Sequence, residues 1–111
     1  MRSVFLDPGT LRNEFSLQAP SLNPDGQGGH SEIWSEIGTV FARIEPVHAQ
    51  SRFGAGQTLE TTTHRITLRW RADVTSGRRF VRLGRVFEIL TVQDPDATGR
   101  YLICLVRETG L

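Results

Sequence analysis

The run from Thr61 to Arg71, near the middle of the chain, constrains the fold more than any other stretch. From position 64 onward its apolar residues fall on even positions, and arginine and threonine fill the odd ones. A side-chain period of two is typical of a strand with one dry face and one wet face, and threonine, isoleucine and tryptophan suit a pleated, half-buried surface. The pattern predicts a central β-strand whose dry face is His64, Ile66, Leu68 and Trp70.

Other stretches predict further strands. Looser alternation indicates strands over 11–18 and 39–45, the latter with Val40 inward and Phe41 outward, and 31–36 is extended. Segments 78–83 and 85–92 are typical of a tight hairpin around Gly84. The apolar run 101–107 suggests a strand buried on both faces. Proline, asparagine and glycine make 19–30 a predicted hairpin loop.

These segments predict one all-β domain over residues 1–111, a small barrel or sandwich of about six strands with long loops. Residues 47–60 form a second long loop, which leaves room for one short helix over 48–53. Gly54 and Gly56 weaken any longer helix. A loop of this length in so small a domain is usually functional or disordered.

Charge is unevenly distributed along the chain although the net charge is only +1. Residues 61–85 carry about +6 and the remainder about −5. Near-neutral net charge argues against a protein that mainly grips phosphate backbones. An asymmetry of this kind favours association with a partner or with another copy of the chain. The candidate inter-subunit or partner patch is Arg65, Arg69, Arg71, Arg78, Arg79 and Arg82.

No set of residues points to an enzyme, a metal or a cofactor. The three histidines match no metal-ligand spacing, and we interpret His64 as a partly buried structural residue. Cys104 is the only cysteine and lies in an apolar strand, where a thiol is usually inert packing. Asp94 and Asp96 flank a proline and fit turn chemistry. No segment approaches the roughly 20 apolar residues of a membrane span, and a short apolar start that is cut off by Asp7 predicts a non-secreted protein.

An alternative function is single-stranded nucleic-acid binding by an OB-like barrel. Trp70 and Phe80 would then stack on bases beside the arginine-rich strand. The near-neutral net charge favours a protein-facing surface instead.

The order of motifs resembles a known family. An Asp-Gly-x-Gly-Gly loop at 25–29 precedes Glu-x-Trp at 32–34 and Thr-Val-Phe-Ala-Arg-Ile-Glu-Pro at 39–46. Thr-His-Arg-Ile-Thr-Leu-Arg-Trp-Arg follows at 63–71, then Gly-Arg-Val-Phe-Glu-Ile at 84–89 and Asp-Pro-Asp at 94–96. From about residue 11 to residue 107 the chain resembles the phage head–tail joining family, also called head-closure or stopper proteins, including versions in phage-like gene transfer agents.

The resemblance implies a barrel-like subunit of a virion or virion-like particle, assembled in the bacterial cytoplasm. Copies would form a sixfold or twelvefold ring below the portal and adaptor, with tail terminator or other tail proteins beneath and packaged DNA in the channel. It implies no membrane partner. A candidate docking loop comprises Asp25, Gly26, Gly28 and Gly29. The candidate channel or gate loop comprises Val47, His48, Arg52, Phe53, Gly54, Gly56 and Gln57.

Overall fold

Six β-strands, each antiparallel to its neighbours, close into a barrel in the order β1-β2-β3-β6-β5-β4 in the computed structural model of the chain. The structure describes residues 8–24, 26, 30–47 and 62–109. A 3-10 turn over Pro8–Thr10 precedes the barrel. The strands are β1 (Asn13–Pro24), β2 (His30–Pro46), β3 (His64–Arg69), β4 (Arg79–Arg82), β5 (Arg85–Gln93) and β6 (Tyr101–Glu108). The predicted all-β barrel class is therefore confirmed.

The inward-facing side chains of all six strands fill the barrel interior. Phe15 lies at its centre, with its ring edge-on to Phe80 at 5.7 Å and to Phe87 at 5.9 Å between centroids. Edge-to-face aromatic pairs add stabilisation beyond the burial of their area. The alternation predicted for 39–45 is confirmed, because Val40 is buried and Phe41 is exposed. The buried core comprises Phe15, Leu17, Val40, Ala42, Ile66, Leu68, Val74, Phe80, Phe87, Ile89, Leu102, Cys104 and Val106.

The first two strands extend well beyond the barrel. β1 pairs with β4 only over 16–18 and β2 pairs with β3 only over 42–46, whereas β1 and β2 pair with each other from 13↔42 to 24↔30. Residues 19–24 and 30–36 therefore form a two-stranded ribbon, called here the arm. The molecule measures 53 × 31 × 26 Å.

The arm corrects two predictions. Residues 19–24 belong to β1, not to a loop. Pro20 and Pro24 lie where one edge of the ribbon has no partner strand, and proline is tolerated on edge strands. Segments 31–36 and 39–45 are one strand, not two. They are joined by a β-bulge in which Leu17 faces Gly38 and Gln18 faces Glu36, so that Ile37 has no opposite residue.

Two further expectations about burial are wrong. β6 is not buried on both faces: Leu102, Cys104 and Val106 point inward, while the residues between them are partly exposed. A single closed sheet has no second layer to cover its outer face. Trp70 is not on the dry face of β3, because that strand ends at Arg69, and the indole is 47% exposed.

The predicted hairpin around Gly84 is confirmed. Arg82 pairs with Arg85, which leaves a two-residue turn of Leu83 and Gly84. Both have positive φ, 52° and 78°. Two left-handed residues define the turn whose twist matches that of the flanking strands, and glycine is favoured there because it has no Cβ.

Candidate functional site

The barrel has two different ends. The arm leaves from one end, with Gly26 between its strands at the tip. At the other end β2 finishes at Pro46 and β3 begins at His64, and the Val47 amide donates a hydrogen bond to the Thr63 carbonyl at 2.9 Å. The described residues that flank the long connection are therefore fastened together at the end of the barrel opposite the arm.

The two predicted loops map to these two ends. The candidate docking loop lies at the arm tip, where Gly26 is exposed with φ +80°. Its other members, Asp25, Gly28 and Gly29, lie outside the described residues. Of the candidate gate loop, Val47 is described and half-buried, and His48, Arg52, Phe53, Gly54, Gly56 and Gln57 lie outside the described residues.

The candidate arginine patch is divided by barrel closure. β3, which carries Arg65 and Arg69, and β4, which carries Arg79 and Arg82, are three strands apart in either direction around the barrel. They lie on opposite sides, so the six arginines do not form one continuous surface. If these arginines contact a partner, those on β3 and those on β4 do so on two separate surfaces.

Arg71 fastens the base of the arm. Its Nε and Nη2 donate to the two carboxylate oxygens of Asp73, both at 2.9 Å, and its Nη1 donates to the Thr39 carbonyl at 3.0 Å. The guanidinium lies over Gly38, where an added Cβ would come within 2.7 Å of Nη2. Hydrogen bonds from Arg71 lower the pKa of Asp73, so the pair stays ionised. Arg78 adds a hydrogen bond to the Asp73 carbonyl.

Arg79 braces the arm from the other side. Its guanidinium lies 4.1 Å from the centroid of the Trp34 ring, and its Nε donates to Gln18 Oε1 at 2.8 Å. Stacking of arginine on tryptophan is a favourable cation–π contact. Arg71 and Arg79, both predicted as partner contacts, are thus engaged within the chain and hold the arm to the barrel.

Arg69 is a cation at a groove of mixed polar and apolar lining. It forms no ion pair with any described residue, whereas Arg65 pairs with Glu45 at 3.2 Å. The groove has a volume of about 510 Å³ and opens where β2 and β3 part, beyond the pair Ala42↔Leu68. Phe41 and Trp70 line it, and both are about half exposed. Sequence reasoning put Phe41 on the outer face but did not assign it a role.

The remaining titratable groups show structural roles. His64 Nδ1 lies 2.8 Å from Thr63 Oγ1, and its ring is edge-on to Phe87 at 5.4 Å, which fits the structural interpretation. Burial lowers the pKa of His64, while the Glu108 carboxylate opposes that shift. Burial raises the pKa of the Cys104 thiol to about 12.

Chemistry of other kinds finds no support in the described geometry. Among residues 8–24, 26, 30–47 and 62–109, no three His, Cys, Asp or Glu side chains are grouped to hold a metal ion. The proposed base-stacking pair is incomplete because Phe80 is fully buried. No helix in the described part of the chain has the length and apolarity needed to cross a bilayer.

The described chain is thus a small closed barrel with a projecting arm and half-exposed aromatic side chains. The phage head completion protein family matches residues 6–109, and the chain belongs to that family. It is a family of structural virion components and not of enzymes. The resemblance seen in the sequence is confirmed.

Two solved structures are similar. One is a chain from the virion of a native gene transfer agent particle, 25% identical over 90% of this chain and 96% of that one, with a TM-score of 0.66. The other is protein SF1141 from Shigella flexneri 2a, 29% identical over 93% of this chain and 96% of that one, with a TM-score of 0.71. No curated protein sequence matches the chain.

Proposed function

We propose that this head completion protein is a stopper. Copies of it form a ring below the portal and adaptor of a filled capsid, retain the packaged DNA and present the surface to which tail proteins attach. The observation that supports this most strongly is the family match over residues 6–109, together with similarity to a chain of a gene transfer agent virion. The protein would thus work at the head–tail interface of a phage or of a phage-like particle that assembles in the bacterial cytoplasm.

The two ends of the barrel suit a connector. A subunit between a capsid and a tail needs different contact surfaces above and below. Here the arm leaves one end and the segment between Val47 and Thr63 leaves the other. We propose that one end contacts the adaptor and the other the tail, and that the segment 48–61 narrows the channel.

The size of the barrel favours six copies over twelve. Six equal bodies in contact around a ring leave a central hole as wide as one body. The two shorter dimensions of this molecule make that hole 26–31 Å across, which admits one DNA duplex. Twelve such bodies in a closed ring would leave a hole about three body widths across, too wide for a loop of this chain to close.

The function can be tested with DNA-filled, tailless particles that lack this protein. Purified protein should co-sediment with them, protect their DNA from nuclease and restore tail attachment. Tail attachment without protection of the DNA would show an adaptor for the tail and not a stopper. An absence of binding, with salt-sensitive affinity for single-stranded oligonucleotides instead, would overturn the proposal in favour of a nucleic-acid-binding barrel.

A further inference from the structure

Exposed large apolar side chains are concentrated on the arm and on four of the six strands or the turns next to them. They are carried by the arm, the outer face of β2, the residue after β3 and the β4–β5 turn, and none lies on β5 or β6. The outer surface of β5 and β6 instead carries ion pairs, such as Glu88 with Arg107 at 2.7 Å. Isolated exposed apolar residues are ordinary, but this grouping indicates a contact surface. The residues are Leu22, Ile33, Ile37, Phe41, Trp70 and Leu83.

The arm presents an apolar side chain beside a carboxylate that forms no ion pair with any described residue. Leu22 and Glu32 are directly opposite each other in the β1–β2 ladder, so their side chains share one face of the ribbon. Leu22 is 66% exposed. Glu32 accepts a hydrogen bond from the Trp34 indole at 3.2 Å but forms no ion pair with a described residue.

The groove presents the complementary features. It has two half-exposed aromatic rings, Phe41 and Trp70, and Arg69 beside them as a cation without an ion pair among the described residues. The groove volume of about 510 Å³ leaves room for an aliphatic side chain. The nearby Arg71 does not compete for the same acid, because Asp73 already holds its guanidinium.

The arm is long enough to reach a neighbour. Its six residues beyond β4 extend about 20 Å at the usual strand rise. The molecule measures 26–31 Å in its two shorter dimensions, so a neighbouring copy begins about 13–16 Å from its centre. Strands of a closed barrel are inclined by about 35–45° to its axis. A ribbon that continues two of them therefore leaves obliquely, and about 11–14 Å of its length is directed sideways.

We infer that the arm of one copy lies in the groove of the next copy in the ring. Leu22 packs against Phe41 and Trp70 of the neighbouring copy, and Glu32 pairs with its Arg69. The inference rests on the proposed ring and specifies its subunit interface. The acid and the base belong to different surfaces of the same chain, so the contact is heterologous. Heterologous contacts form a ring when the rotation from copy to copy closes.

A charge exchange tests the pairing. Arg69→Glu and Glu32→Arg should each reduce binding to DNA-filled particles about tenfold, within the range that double-mutant cycles give for charged residues in contact. The double variant should recover most of that loss. Both side chains are exposed, so the urea midpoints of all three variants should match that of the wild type. If the double variant binds no better than the weaker single variant, the pairing is refuted.

Cross-linking tests the contact directly. Particles bound by the Pro20→Cys/Thr39→Cys variant, which keeps the packing residues, should give a ladder of multiples of this chain with a short bismaleimide, since the native Cys104 is buried. The matched control, Pro20→Cys/Gln93→Cys, places the second thiol at the exposed end of β5 and should give no ladder.

The outcomes separate the interface from the function. If particles retain DNA but the Pro20→Cys/Thr39→Cys variant gives no ladder, or links to a different virion protein, the interface is wrong and the stopper function stands. If wild-type protein does not bind particles at all, the stopper function and the ring both fail.

Discussion

Replacement of Leu83 by asparagine is expected to stabilise the protein. Leu83 is the first residue of the β4–β5 turn, has φ +52° and is 84% exposed. The left-handed conformation costs an ordinary L-residue about 1–2 kcal/mol, and asparagine tolerates it better because its short side chain hydrogen-bonds locally. Full burial of a leucine side chain stabilises a protein by about 1.5–3 kcal/mol. Because only a small part of Leu83 is covered, its removal should lose less than about 0.5 kcal/mol of that stabilisation.

The net gain is about 1 kcal/mol, and urea denaturation measures it. With an m-value of about 1–3 kcal/mol/M, the midpoint should rise by about 0.3–1 M with m unchanged. Gly84→Ala is the matched control. An added Cβ would meet no atom within 4 Å, but φ is +78°, so backbone strain alone should lower stability by about 1 kcal/mol. A lower midpoint for Leu83→Asn would refute the view that this leucine is strained and contributes little to the fold.

Three further predictions concern the core and the titratable groups. Phe15→Ala should lower the free energy of unfolding by about 3–5 kcal/mol because it leaves a cavity in the barrel core. Phe41→Ala, at an exposed position, should change it by less than about 0.5 kcal/mol. Equal urea midpoints for the two variants would contradict the packing described. The folded-state pKa of His64 lies below 6.5, so the unfolded chain binds its proton more readily. The contribution of neutral His64 to the free energy of unfolding is fully present above pH 6.5 and is lost as pH falls through the folded pKa. His64→Gln should therefore weaken the decline in urea midpoint below pH 6.5. An unchanged pH profile would contradict this role of His64. Cys104, with a pKa raised to about 12, should react with a thiol reagent only on unfolding, and rapid modification of the native protein would show an open core.

Local alternation predicted the barrel well. The inward and outward positions of β2, the tight turn at Gly84 and the all-β class all follow from a period of two and from turn chemistry, which are properties of neighbouring residues. The arm was not predicted, because the residue types in its first strand are typical of loops. Proline and asparagine at 19–24 are typical of loops, and only the absence of a partner strand on one edge of β1 makes them acceptable in a strand.

The candidate site was less predictable because it depends on barrel closure. Arg69 and Arg79 are close in sequence but lie on strands at opposite sides of the barrel. Arg71 and Arg79 look like free cations in a basic stretch, yet Asp73 and Trp34 engage them. The groove exists because β3 ends at Arg69 while β2 continues, and a periodic pattern does not set where a strand stops pairing.

The most direct test of the stopper function is a titration of DNA-filled, tailless particles with purified protein, in which the copies bound per particle and the DNA surviving nuclease are measured together. A ring that must close before it retains DNA predicts protection that stays low at partial occupancy and rises steeply as occupancy approaches six copies per particle. Saturated binding with DNA still open to nuclease would contradict the account.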